Sequence, residues 1–178
     1  MKRLFLVVLL ILAFTLVSCS KEESTMPDGM TYSENGAVDY YFYYPEEWTL
    51  DRNDGMVSAY VSEKDHSNVS VTAFTAPQGV NSVDGYISMG ETNYFDHLKE
   101  NFTDITLLSD GEETTLGEVP ARQYVFTATV AGDEYKFRQV VAYRYGYIYI
   151  LTYTSTLDAF DLHTDDVNSI IKEFEFKK

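Results

Sequence analysis

The sequence predicts an α+β domain: an antiparallel β-sheet with helices on both faces, a three-layer α-β-α sandwich. Three observations lead there. Alternating apolar and polar residues recur in runs joined by short turns, which is how antiparallel strands read. Two other segments change to helical spacing. The first run carries aromatic side chains on both of its faces, so it calls for cover on both sides. With 178 residues, 45% of them hydrophobic and 15% aromatic, the chain is sized for one domain with its own core.

The elements follow in order. After Asn35-Gly36, Val38, Tyr40, Phe42 and Tyr44 alternate with Asp39, Tyr41 and Tyr43, and Pro45 ends the strand. Asp54-Gly55 turns the chain into a second strand over residues 56–61, and a third occupies residues 68–74. Asn81 or Ser82 is placed to cap a helix, with Val83, Ile87, Tyr94, Leu98 and Phe102 on one stripe. Gly85 and Gly90 each weaken that helix by about 1 kcal/mol relative to Ala. Residues 105–155 return to strands, with turns at Gly111, Gly117-Glu118, Ala131-Gly132-Asp133 and Tyr145-Gly146. Val167, Ile170, Ile171 and Phe174 then form the stripe of a second helix, which Thr164 is placed to cap. The expected core includes Trp48, Phe74, Leu98, Tyr124, Phe126, Ile150, Ile171 and Phe174.

The N-terminus reads as a targeting segment. Lys2 and Arg3 precede an apolar run of 14 residues, 4–17, shorter than the roughly 20 that cross a bilayer as a helix. Its end, Leu16-Val17-Ser18-Cys19, resembles the lipobox of bacterial lipoproteins. That resemblance implies a signal peptide over residues 1–18 and lipid attachment at Cys19, the only cysteine in the chain. Residues 19–36 are then the lipidated cysteine and a flexible, polar tether, and 37–178 the domain. Cys19-Ser20-Lys21-Glu22-Glu23 also looks like the surface-export tag of some Bacteroidetes lipoproteins. The expected location is extracytoplasmic, at the outer face of the cytoplasmic membrane or at an outer membrane if the host has one.

Phe42-Tyr43-Tyr44-Pro45-Glu46-Glu47-Trp48 resembles the aromatic-Pro-x-x-Trp opening of the PsbP-like domain. Residues 116–121 look like that family's strand-connecting turn, and 149–154 with 170–174 are similar to its closing strand and helix. The resemblance spans about residues 38–176 and implies an antiparallel sheet flanked by helices, the fold shared with a nuclear Ran-binding factor. Plant PsbP proteins are accessory subunits of photosystem II involved in calcium and manganese handling, and no matching metal-ligand motif is present here.

Composition narrows the chemistry. There are 13 Lys plus Arg against 28 Asp plus Glu, a net charge of −15 that argues strongly against a nucleic-acid partner, whose phosphates basic residues must neutralise. Loss of residues 1–18 would leave 11 against 28, or −17, so a lipid and not the body must hold the protein to an anionic membrane. Asp51 to Gly55 fails the EF-hand spacing and reads as a turn. Asp161, His163, Asp165 and Asp166 are the candidate ligands for calcium or another divalent cation; as a helix N-terminal turn, the same acids would simply complement the macrodipole. His66, His97 and His163 lack a nucleophile context, and no Gly-x-Ser-x-Gly, His-Glu-x-x-His or phosphate loop occurs. The acid pairs Glu46-Glu47, Glu112-Glu113 and Asp165-Asp166 read as solvated faces.

What remains is tyrosine: 15 in all, crowded at 40–44 and 143–153. They form either an aromatic sheet face beneath helices or an exposed patch for a protein or glycan partner. The expected protein is a monomeric, non-catalytic docking or accessory lipoprotein without a cofactor. A metal- or small-ligand-binding lipoprotein stands second, and a lipid-anchored hydrolase third.

Overall fold

The computed structural model describes residues 26–51, 57–89, 94, 98–99 and 102–178. Cys19, the Asp54-Gly55 turn and His97 lie outside them. Seven strands form one antiparallel sheet: β4 (Thr49–Asp51), β5 (Val57–Tyr60), β6 (Asn68–Thr75), β7 (Thr103–Leu116), β8 (Val119–Val130), β9 (Asp133–Arg144) and β10 (Tyr147–Thr156), in the spatial order β4-β5-β6-β10-β9-β8-β7. Four short strands stay outside it. β1 (Met30–Tyr32) pairs with β3 (Tyr43–Pro45), and β2 (Tyr40–Tyr41) pairs with β11 (Glu175–Phe176). β1 therefore lies inside the segment that reads as a tether. The helices with described bounds are α1 (Val83–Ile87) and α2 (Thr164–Glu173), the latter preceded by a 3₁₀ turn at Phe160–His163; Tyr94, Leu98 and Lys99 are helical as well.

This overturns the three-layer α-β-α sandwich. The protein is mostly antiparallel β-sheet, and neither helix is long enough to make a layer. One face of the sheet is covered along most of its length, up to Ala73 and Tyr147, which are exposed. Val57, Val69, Leu151, Tyr149, Val140 and Leu116 are buried on it beneath α2 and the two ribbons, whose Phe42, Tyr44, Phe174 and Phe176 complete the cluster. The aromatics on both faces of residues 40–45 do not belong to the sheet; they belong to ribbons packed on top of it.

The opposite face is covered only over β10, β9, β8 and β7. There Tyr124, Phe126, Phe137 and Ile148 pack with Val83, Tyr94 and Leu98. Arg122 of β8 ties α1 down through Nε to Asp84 at 2.8 Å. Over β5 and β6 the same face carries Ser58, Tyr60, Asn68, Ser70 and Thr72, none of them buried. Polar side chains at alternate positions leave nothing for a helix to cover, so the second helical layer stops halfway.

Local chemistry explains the ends. Ser82 Oγ accepts from Gly85 N at 3.0 Å and caps α1, which runs five residues through Gly85. Thr164 does not cap α2: its hydroxyl donates backwards to Phe160 O at 3.3 Å, and His163 occupies the cap position without a side-chain hydrogen bond. Of the expected core, Trp48, Leu98, Tyr124, Phe126, Ile171 and Phe174 are buried and Ile150 is half-buried, whereas Phe74 is exposed. Phe74 falls near the end of β6, where it meets only the edge of α1 through the Tyr86 ring at 6.0 Å.

Candidate functional site

β9 and β10 are joined by a two-residue turn, Tyr145-Gly146, with φ of 49° and 83°. Two successive positive φ values match the twist of a tight hairpin, a conformation that suits Asn or Gly and strains Tyr. Gly146 O is fixed by Ala76 N at 2.8 Å. Tyr145 is 82% exposed and Tyr147 47%. With Phe74, they make one end of the sheet aromatic and open to water.

Behind this tip the chain is clasped. The Arg144 guanidinium lies 4.5 Å from the Tyr145 ring centre and 4.6 Å from that of Phe176. It donates from Nη1 to Asp39 Oδ2 at 3.0 Å and from Nη2 to Lys177 O at 3.0 Å. Tyr149 donates its hydroxyl to the same Asp39 Oδ2 at 2.7 Å. Lys177 N donates to Asp39 O at 2.8 Å, and its Nζ donates to Asn35 O and Val38 O. Burial, and then the Asp39 carboxylate, push the Tyr149 and Tyr40 hydroxyls well above the ordinary phenol range. Both remain protonated at neutral pH, and Tyr149 remains a donor to Asp39.

A cleft of about 390 Å³ opens beside this clasp, with Val38, Asp39, Tyr40, Ala73, Tyr147 and Tyr149 among its walls. Its size is within the ~300–1,000 Å³ of small-molecule sites. A larger cleft of about 690 Å³ lies at the other end of β10, where Phe102, Val130, Tyr135 and Phe137 meet Lys64, Asp133 and Asp158. The buried hydroxyls of Ser67 and Ser155 bond each other there at 2.7 Å.

The four candidate metal ligands are divided by the fold. His163 Nε2 meets Asp65 Oδ2 at 2.7 Å, and Nδ1 lies 3.8 Å from Asp166 Oδ2. Asp161 turns to Lys136 Nζ at 3.4 Å, and Asp165 accepts from Ser169 through its backbone carbonyl. The His163 ring stands edge-on to Trp48. Among the described residues no three His, Cys, Asp or Glu side chains converge as a metal group. For Asp65, burial raises the pKa, but the Ser67 side-chain and backbone bonds and His163 outweigh it and hold the carboxyl below its ordinary 3.8. This network ties the β5–β6 loop to the start of α2.

The sequence marks Tyr145-Gly146 as a turn and the tyrosines as an excess, but it does not single out Asp39, Arg144 or Lys177. Their meeting is set by partners 33 to 142 residues apart. The one usable signal is Tyr where a tight hairpin favours Asn or Asp.

The fold and its clasp define a mostly β domain in which two short ribbons close one face of a long antiparallel sheet. The PsbP-like protein family profile matches residues 16–176, and the chain belongs to that family. No curated protein matches it in sequence. Among solved structures it is similar to LpqN of Mycobacterium tuberculosis, described as involved in cell envelope biogenesis. The TM-score is 0.58 at 14% identity, over 84% of this chain and 91% of that one. It is also similar to CyanoP, the cyanobacterial PsbP of Synechocystis sp. PCC 6803, with a TM-score of 0.57 at 15% identity over 83% and 92%. These likenesses concern the fold.

Proposed function

We propose that the protein is a non-catalytic lipoprotein module, anchored outside the cytoplasm through Cys19, that docks a partner at its aromatic end. The observation that carries this reading is the Tyr145 tip. A large aromatic ring stands in water on a strained left-handed backbone, and its one contact with Arg144 does not offset that strain. Strain and exposure of this kind gather at recognition sites, and Tyr is favoured where interfaces bury. The fold's likeness to a protein of cell envelope biogenesis and to a PsbP protein agrees with an accessory role. No described helix is long and apolar enough to cross a membrane, so the anchor in this reading is the lipid on Cys19.

A photoreactive benzoylphenylalanine in place of Tyr145, introduced in the protein's own cells, tests the docking end. A reproducible adduct is expected at position 145 and none when the residue is placed at Thr72 on the polar face; equal labelling at both defeats the reading. Cys19→Ala is expected to release the protein from the membrane fraction. Stoichiometric uptake of calcium, manganese or zinc that is lost in His163→Ala would replace docking with metal binding.

A further inference from the structure

Resting on the docking reading and giving it a ligand, the geometry points to the 390 Å³ cleft as a site for a neutral sugar ring, with Tyr147 as its stacking platform and Asp39 as its hydroxyl acceptor. Three features of the cleft select this chemistry. The Tyr147 ring is 47% exposed, so it offers an apolar face on which the C–H face of a pyranose packs with little loss of side-chain entropy. The Asp39 carboxylate is already fixed: Arg144 and Tyr149 both bond Oδ2, and Oδ1 has no partner among the described residues. A prefixed acceptor costs a ligand hydroxyl little to engage.

The third feature is charge. Arg144 lies 3.0 Å from Asp39 and Lys177 is bound to the same segment, so the carboxylate is locally balanced. An ammonium ligand gains little Coulomb attraction from a carboxylate that is already paired, and it meets the guanidinium as well. An anion meets both that carboxylate and a chain of net charge −15. A neutral polyol escapes both penalties, since its hydroxyls donate to Asp39 and its apolar face covers Tyr147. The open mouth also lets a sugar enter as one residue of a longer glycan.

The test uses the full-length chain in a zwitterionic detergent without a sugar headgroup. The probes are the methyl glycosides of glucose, galactose and N-acetylglucosamine, read by saturation-transfer NMR. Transfer to ring protons of at least one glycoside is expected. Binding should weaken about tenfold in Tyr147→Ala, the upper end of an aromatic stacking contribution, and also fall in Asp39→Asn, while Tyr147→Phe retains it. Because Tyr147 is half in water, Tyr147→Ala should melt with the wild type, which separates lost binding from lost fold. No transfer from any glycoside, or transfer unchanged in Tyr147→Ala, overturns the sugar site. If sugars fail while the position-145 adduct to a protein persists, this proposal falls and the docking reading stands. If both fail, both fall.

Discussion

Tyr145 concentrates the tension between stability and binding. An L-residue in the left-handed region costs roughly 1–2 kcal/mol, and the exposed Arg144–Tyr145 contact returns about 0.5–1 kcal/mol. Arg144 keeps its Phe176 contact and both hydrogen bonds without Tyr145. Tyr145→Asn is therefore expected to raise the unfolding free energy by about 0.5 kcal/mol, seen as a higher urea midpoint, while a docked partner is lost. Asp65 carries a second prediction. Its folded pKa lies below the ordinary 3.8, so its stabilising share is present at neutral pH and is lost as pH falls below that value. Asp65→Asn should cost about 1–2 kcal/mol at pH 7, and the gap to the wild type in chemical denaturation should narrow through the acid range. Neither residue announces this in the sequence. Asp65 gains its role from His163, 98 positions away, and Tyr145 from the handedness of a turn.

At the scale of elements, the long strands, the turns at 117–118, 131–132 and 145–146 and the C-terminal helix α2 were legible, whereas the expected turn at Gly111 falls inside β7 and the extent of the first helix was not legible. Gly117-Glu118, with φ of 55° and 66°, is the tight β7–β8 turn that its Gly suggests. Its glycine is also required by packing, because a Cβ there would meet the Phe176 ring at 2.7 Å. Gly117→Ala should cost about 2–3 kcal/mol from overpacking and backbone strain together, read by thermal melting; a loss under 1 kcal/mol would mean that the ring moves aside. Trp48, 5% exposed beneath α2, was identifiable from its Pro-x-x-Trp spacing, and Trp48→Ala should cost about 3–5 kcal/mol. The stripe through Val83, Ile87, Tyr94 and Leu98 reads as one helix; α1 ends at Ile87, and Tyr94, Leu98 and Lys99 are helical again further on, with Tyr94 and Leu98 buried beside Val83. Periodicity records which face is buried, and it is silent on how far the backbone stays helical. β7 shows another limit. Three register shifts interrupt its pairing with β8, irregularities that blunt an edge strand against a second sheet and that alternation cannot reveal.

For the whole molecule, the sequence gives an antiparallel sheet with cover on both sides, and the error lies in what supplies the cover. Tyr40 to Pro45 alternates like a sheet strand but is split between two ribbons, because Phe42 and Tyr44 stack under α2 while Tyr40 stacks on Phe174. Single-sequence alternation cannot separate a strand in a sheet from a strand lying on one. The clasp is the structural device that makes the difference. Removing residues 174–178 deletes β11, the rings of Phe174 and Phe176 and every bond of Lys177. The truncated chain is expected to lose its cooperative unfolding transition, whereas removal of the half-exposed Tyr147 ring leaves it intact.

That clasp also orders events in time. The segment 174–177 leaves the ribosome after every strand it fastens, yet it holds Asp39, Asn35 and the Tyr40 strand in place. The long hairpins of β7 to β10 pair neighbours in sequence and are free to zip early, while the backbone of Tyr40-Tyr41 has no strand partner until synthesis has passed Phe176. A nascent chain of this design keeps the face beneath that ribbon incompletely closed until residues 175–176 have been made.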